Sequence, residues 1–518
     1  MEDLEVVPGV LAERARLCPD QLFVECAGEG RTFAEMQERA ERVASGLHNL
    51  GVRKGDRVAT ILPNRIEHVE LIFACARIGA IHVPVNVFLK GEFLRYQLAD
   101  AAASVVVADA DGLRAVGGVR GELGDLLHVV GCDDGGYGLL DGEKVPDVEL
   151  AAGDTFAIVY TSGTTGMPKG CMLPHGYHVK SPEAGRGLLD YQEGDILYTA
   201  LPLFHGWARG MVTAALVHSL TLVIDAEFSA SSLLQRFAET HATVFSGVGA
   251  MGMALLATPV SDNDRAHDLR VAFMIPFSPD QQDAFTTRFG PRVQSQMYGQ
   301  TETGAITFAP LAEEGKPATV GRASPQYEVR VVDDHDRDVA VGEPGEVIVR
   351  SKQPDTLYAG YWRKPDDTTE AIRGGWHHTG DMGRMDADGY LTFVDRKKDA
   401  IRRRGENVSS VQLEAAIVGH PAISEAAVVA VASEMTEDEI KACIVVAPDA
   451  AIEPSELFAF FRSKLPYFAI PRYVEIVEAL PKTATMRVQK HLLRGAGVTE
   501  ATWDLEQLGL TVARDERR

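Results

Sequence analysis

The feature that most constrains the fold is a repeated switch between apolar runs of strand character and segments with helical periodicity. Thr32 and Glu35 form a capping-box pattern, and Phe33, Met36, Ala40, Val43, Ala44 and Leu47 then recur at helical spacing until Gly51 supplies a stop. An apolar run follows at 58–62, then a helical stretch at 69–78 and a short β-rich run at 81–85. Such alternation predicts an α/β body containing largely parallel sheets, because parallel neighbours need a crossover and a helix supplies it.

Two other textures depart from this pattern. Residues 111–154 are rich in Gly and Asp with weak periodicity and read as surface connections. Residues 320–360 carry short alternating runs, YEVRVVDD and GEVIVRS, between Gly, Pro and Asp turns, which predicts a small antiparallel or barrel-like unit. The basic run DRKKDAIRRRGEN at 395–407 precedes a helix and a mixed tail, so it reads as a joint. A chain of 518 residues exceeds what one core organises. We therefore expect a large N-terminal domain at 1–397 and a small α+β C-terminal domain at 398–518.

A net charge of −23 disfavours nonspecific attraction to nucleic acid or anionic membrane and points to small-molecule partners. No apolar stretch approaches the roughly 20 residues needed to span a bilayer, and the opening segment lacks a basic-then-apolar secretory pattern. A cytoplasmic location is the expectation. Cys18, Cys26, Cys75, Cys132, Cys171 and Cys443 form no CxxC pair and read as reduced packing thiols.

The chemistry begins at YTSGTTGMPKG, residues 160–170, after a strand-like run at 156–160. Gly163, Gly166 and Gly170 allow sharp turning and close approach. Thr161, Ser162, Thr164 and Thr165 offer hydroxyls, and Lys169 a cation, so the segment suits a polyphosphate. The order GxxxxGK[ST] is absent, which disfavours a P-loop NTPase.

This segment resembles the phosphate-binding loop of the adenylate-forming superfamily, which includes acyl-CoA synthetases, peptide-synthetase adenylation domains and luciferases. The resemblance covers nearly the whole chain. In YGQTE, residues 298–302, it places Tyr298 and Gly299 beside the nucleotide, Thr301 on the α-phosphate and Glu302 on Mg²⁺. In WHHTGD it assigns the ribose hydroxyls to Asp381, and in the pair Asp395-Arg396 it assigns a nucleotide contact to Arg396. Lys398 falls at the hinge about which the family's C-terminal domain swivels, and Arg404, Gly405 and Glu406 match the loop presented for thioester formation. Phe204, His205, Trp207, Gly247, Phe273 and Met274 are the expected acyl pocket, with His205 lining it and transferring no proton.

Two departures stand out. The family's C-terminal motif ends in Gly-Lys, and here Met486 and Arg487 take those positions. The lysine normally bridges carboxylate and nucleotide during adenylation. Arginine keeps the charge but spreads it over a wider planar fork, and a misplacement of about 1 Å can cost on the order of 10²-fold in rate. The family's GGAP segment also aligns with Phe273, Met274, Ile275 and Pro276, two glycines having become large apolar side chains. The expectation is an acyl-CoA ligase-like enzyme that chiefly transfers acyl from acyl-AMP to coenzyme A, its adenylation impaired or absent and its acyl-AMP supplied by a separate adenylating ligase. A complete ATP-dependent ligase that also uses Mg²⁺, and a silent binder of acyl ligand and nucleotide, remain the alternatives.

Overall fold

The structure, a computed structural model, describes residues 2–512 except 144, 146, 162–167, 314, 398, 400, 404–405, 409, 433–437, 449, 466–468 and 484–486. The expected alternation becomes two twisted sheets with helices between and around them. The first has six strands in the order His128–Gly131, Val105–Ala108, Arg57–Ile61, Ile81–Pro84, Thr155–Thr161, Lys169–Pro174, all parallel except the last. The second has seven, from Arg292–Gln294 through Val271–Ile275, Val244–Val248, Ile196–Thr199, Thr221–Ile224 and Leu22–Cys26 to the antiparallel edge Glu29–Thr32.

One core joins both sheets. Phe156 of the first and Phe273 of the second belong to the same buried cluster as Phe33, Phe73 and Met211, which come from three helices. Helix Phe33–Asn49 starts on the capping box read from Thr32 and Glu35. Helix Ile66–Arg77 has ten of its twelve residues buried, as expected of a helix covered on every side. Its buried Glu70 is offset by Arg31, Arg39 and the Tyr137 hydroxyl.

Residues 111–154 are more ordered than their composition implied. They include strand His128–Gly131, the edge of the first sheet, and Leu140, whose backbone lies where a Cβ on Gly46 would stand 2.1 Å away. Four-residue strands carry too little periodicity to be read locally, and pairing with Val105–Ala108 decides the matter. The expected antiparallel unit is a five-stranded sheet built around Tyr327–Val332, Pro344–Ser351, Trp376–Met385 and Leu391–Arg396. All six cysteines are free, and among the described residues no helix is long and apolar enough to cross a membrane.

The small C-terminal domain is a four-stranded sheet, Ile423–Ala432, Asp438–Val446, Tyr473–Ile476 and Thr502–Asp504, packed around Val428, Ile440, Leu457, Phe461 and Val474. A buried carboxylate ties it to the large domain. Asp395, 1% exposed, accepts from the backbone N–H of Arg396 at 2.7 Å and of Ser410 at 2.6 Å, so the last large-domain strand meets the first residue of helix Ser410–Val418. Within the C-terminal domain, Arg494 pairs with Asp399 at 2.6 Å. Removing a charged acceptor from two such donors costs about 3 kcal/mol. Asp395→Ala is therefore expected to speed proteolytic separation of the two domains well beyond the unaltered rate. An unchanged rate would show that the tie is not energetic.

Candidate functional site

A cavity of about 1130 Å³ opens where these elements converge. Its walls come from the hairpin ending in Thr161 and Lys169, helices His175–Ala184 and Gly206–His218, and strands Met297–Gln300, Trp376–Met385 and Leu391–Arg396. Arg487 of the C-terminal domain closes one side.

At one end the sheets hold Asp381 in place before any ligand arrives. Its backbone lies opposite Arg396 in the register of two antiparallel strands. Tyr298 donates its hydroxyl to Oδ2 at 2.6 Å, Gln300 donates its amide to the same oxygen at 2.8 Å, and Arg396 Nε stands 4.0 Å from Oδ1. Burial pushes the carboxyl above its ordinary range against the opposing pull of Tyr298, Arg396 and Gln300. Burial likewise keeps Tyr298 protonated and donating. Gly299 is required here, because a Cβ would lie 2.0 Å from the carbonyl oxygen of Gly304 on the paired strand.

Thr301 and Glu302 follow on the same turn and face the cavity. The Glu302 carboxyl is raised by burial and accepts from the Tyr361 hydroxyl at 2.9 Å. Among the described residues no cluster of three His, Cys, Asp or Glu side chains could cage a metal. A buried carboxylate in a polar cleft nevertheless fits Mg²⁺, which takes one or two protein carboxylates and completes its shell with substrate phosphates and water. Lys169 is paired with Asp367, and its Nζ lies 5.2 Å from the centre of the Tyr361 ring.

Arg487 sits where the two ends of the cavity meet. Residues 482 and 488 form an antiparallel bridge, and the Thr483 N–H donates to the Arg487 carbonyl at 2.8 Å. This hairpin delivers the guanidinium to the charges of Asp381, Glu302 and Arg396 and to the His205 ring. Desolvation and Arg396 lower its pKa, while the two carboxylates oppose the shift. Burial and the Arg487 charge bring His205 to about 4, so its imidazole is neutral. Lys482 and Lys490 are engaged elsewhere, by Glu425 at 2.5 Å and by Glu414 at 2.7 Å.

The fold gathers Thr161, Lys169, His205, Trp207, Tyr298, Gly299, Thr301, Glu302, Asp381, Arg396 and Arg487 on one cavity wall. Phe204, Gly247, Phe273 and Met274 do not line it. Phe273 lies behind Trp207 in a stack with centroids 4.6 Å apart, and Met274 is wholly buried against Gly252. Phe273 thus supports the pocket wall from behind Trp207, and the pocket runs between the two wall helices. Ser162, Gly163, Thr164, Thr165, Gly166, Lys398, Arg404 and Gly405 lie outside the described residues, and Glu406 is described as backbone in strand Glu406–Val408. Sequence reasoning passed over Gln300, Tyr361, Asp367 and His178. Gln300 stood inside a recognised motif and could have been found, whereas the others reach the cavity only through tertiary packing.

Fold and cavity together are those of an AMP-binding enzyme. The model of the AMP-binding enzyme family matches residues 11–362 and that of its C-terminal domain residues 412–487, and the chain belongs to this family. Its relatives place it among the acyl-CoA synthetases and ligases. It is 33% identical over 496 residues to a crotonobetaine/carnitine–CoA ligase of Salmonella paratyphi A, covering 91% of this chain and 95% of the relative. It is also 33% identical to a feruloyl-CoA synthase of an Amycolatopsis species, covering 93% and 97%. Among solved structures, ATP-bound MatB from Rhodopseudomonas palustris superposes with a TM-score of 0.84 at 28% identity, covering 94% of this chain and 98% of that one.

The raised carboxyl of Asp381 sets a pH dependence. As pH falls, this group takes up its proton sooner than an exposed aspartate, whose pKa is about 3.9, and the protonated form no longer accepts freely from a diol. AMP affinity measured by calorimetry is expected to drop on acidification with a midpoint above that value, and Asp381→Asn should flatten the curve. The effect on stability has the opposite sign. The stabilising effect of holding this group protonated is present below the unfolded value and is lost as pH rises through the folded one.

Proposed function

We propose that this chain is a complete ATP-dependent carboxylic acid–CoA ligase. In the first step a carboxylate oxygen of the acid attacks the α-phosphorus of ATP, the bond to the β-phosphate oxygen breaks, and pyrophosphate leaves. In the second the thiol of coenzyme A adds to the acyl carbon and AMP departs with the bridging oxygen. The observation that carries this reading is the position of Arg487, a cation between the polar nucleotide end, with Glu302, Asp381 and Arg396, and the His205 side that opens to the apolar chamber.

A positive charge at that junction opposes the repulsion between carboxylate and triphosphate, the main electrostatic obstacle to adenylation. Arginine's wider fork needs more room than an ammonium, and the broad cavity provides it. The expected loss of adenylation therefore finds no support, and no separate adenylating enzyme is needed. Relatives matching more than nine-tenths of the chain, named as CoA ligase and CoA synthase, support the same reading.

Within it, Thr161 and the loop through Ser162, Gly163, Thr164, Thr165 and Gly166 cradle the phosphates with Lys169. Thr301 contacts the α-phosphate, and Glu302 holds Mg²⁺, which neutralises phosphate charge when bound. Asp381 accepts the ribose hydroxyls beside Arg396. Lys398 serves as the hinge, and Arg404, Gly405 and Glu406 belong to the face presented to coenzyme A.

The unaltered protein is expected to catalyse acid-dependent exchange between ATP and pyrophosphate. Arg487→Ala should slow that exchange by about 10²-fold while changing thioester formation from supplied acyl-AMP and coenzyme A far less, and Arg487→Lys should keep both. Absence of exchange from the unaltered protein, alongside thioester from supplied acyl-AMP, would return the assignment to a transferase acting on preformed adenylate.

A further inference from the structure

Strand Lys169–Pro174, an edge of the first sheet, is covered by a later stretch of chain. Met172 N–H donates to the Gly360 carbonyl at 3.0 Å, Ala359 N–H to that of Met172 at 2.8 Å and Trp362 N–H to that of Gly170 at 2.7 Å, with Cys171 opposite Tyr361 in an antiparallel bridge. The chain then turns into helix Pro365–Ala371, and Thr368 fixes the turn. Its Oγ1 accepts from the Tyr361 N–H at 2.9 Å and donates to the Lys364 carbonyl at 2.8 Å. Asp367 is thereby carried to the start of the strand, where its carboxylate meets the ammonium of Lys169.

The ammonium is held from two sides. Lys169 donates to Asp367 Oδ1, and the centre of the Tyr361 ring lies 5.2 Å from Nζ, within cation–π range. Burial keeps the Tyr361 hydroxyl protonated, and that hydroxyl donates to Glu302 at 2.9 Å, so one ring meets both the ammonium and the buried carboxylate. Among the described residues Lys169 is the one basic partner of Asp367. The two side chains line the cavity and are 30% and 32% exposed. A ligand in the cavity can therefore reach the ammonium, and water can solvate the carboxylate once the two part.

The part of helix Pro365–Ala371 that reaches the cavity is acidic, with Asp367 and Glu370 on it. A polyphosphate brought to Lys169 meets like charge there. A lysine ammonium is a compact charge on a flexible stem, free to turn from one anion to another. An ion pair so exposed holds it only by a small margin. The pair is thus a contact that a polyphosphate can displace and that re-forms when the phosphates depart.

We propose that Asp367 is a positioning residue that competes with phosphate for Lys169. It holds the ammonium beside Tyr361 in the free enzyme, yields it to the terminal phosphates of ATP, and retakes it as pyrophosphate leaves, which favours that departure. This rests on the ligase reading above and adds to it a residue that sets the affinity for polyphosphate. AMP lacks the phosphates concerned, so its affinity is untouched.

The test uses the full chain in calorimetric titrations at low ionic strength, with no acid or coenzyme A present, so that no turnover is needed. Asp367→Asn is expected to bind ATP with Mg²⁺, and pyrophosphate with Mg²⁺, about 5-fold more tightly than the unaltered protein, and AMP equally well. Asp367→Ala should behave likewise, so the result does not hang on one variant, and Asp367→Glu, which keeps the charge, should stay close to the unaltered protein. In a Lys169→Met background Asp367→Asn should gain less than about 2-fold, since no ammonium is left to compete for. Unchanged or weaker binding of ATP and pyrophosphate by Asp367→Asn, an equal gain for AMP, or the full gain without Lys169 overturns the proposal. If the expected pattern appears but acid, ATP and coenzyme A yield no thioester, the ligase reading falls and the competition for Lys169 stands. Thioester formed without that pattern keeps the ligase reading and removes the role of Asp367.

Discussion

Two carboxylates, those of Glu302 and Asp381, are buried in the wall of one cleft, and the surrounding structure is arranged around the cost of keeping them there. Burial pushes each toward its protonated form. Tyrosine hydroxyls, the Gln300 amide and two arginines push back. These groups come from four separate stretches of chain, so the cleft exists only when the strand pair at 297–308, the small antiparallel sheet, the turn bearing Tyr361 and the C-terminal domain are assembled together. The same two carboxylates draw a cation of the C-terminal domain, Arg487, to the cleft.

The C-terminal domain contributes little wall but a decisive charge. The bridge between residues 482 and 488 places Arg487 beside Asp381, Glu302, Arg396 and His205, while Asp395 ties helix Ser410–Val418 to the last strand of the large domain. A cation carried on a separately folded unit can be brought in or withdrawn by a rigid-body movement. A cation on the large domain would remain after the chemistry that needs it was complete.

Much of this was legible in the amino-acid order where the signal is local. The capping box at Thr32 and Glu35, the alternation through 85 and the turn-separated runs after 320 all reflect interactions within a few residues, which period and turn chemistry report directly. Strand His128–Gly131 was missed because four residues in a Gly-rich stretch owe their conformation to a neighbour. Of the residues expected at the acyl wall, His205 and Trp207 line the cavity while Phe273 and Met274 do not, for a related reason. Phe273 and Met274 lie on a central strand whose residues face alternately to two packed layers, and which layer holds a cavity is decided by the helices laid upon it.

The sequence by itself determined the class of chemistry, because a glycine- and hydroxyl-rich loop, a YGQTE turn and a lone aspartate after HHTG are short motifs whose backbone and side chains act together. Tertiary structure alone decided which groups oppose one another across the cleft. Tyr361 faces Glu302 from 59 residues away, and His178 is held neutral by burial and by Arg209, packed with it on the ring of Phe156. Burial and long-range Coulomb interactions depend on distances in space, and no local pattern along the chain encodes them.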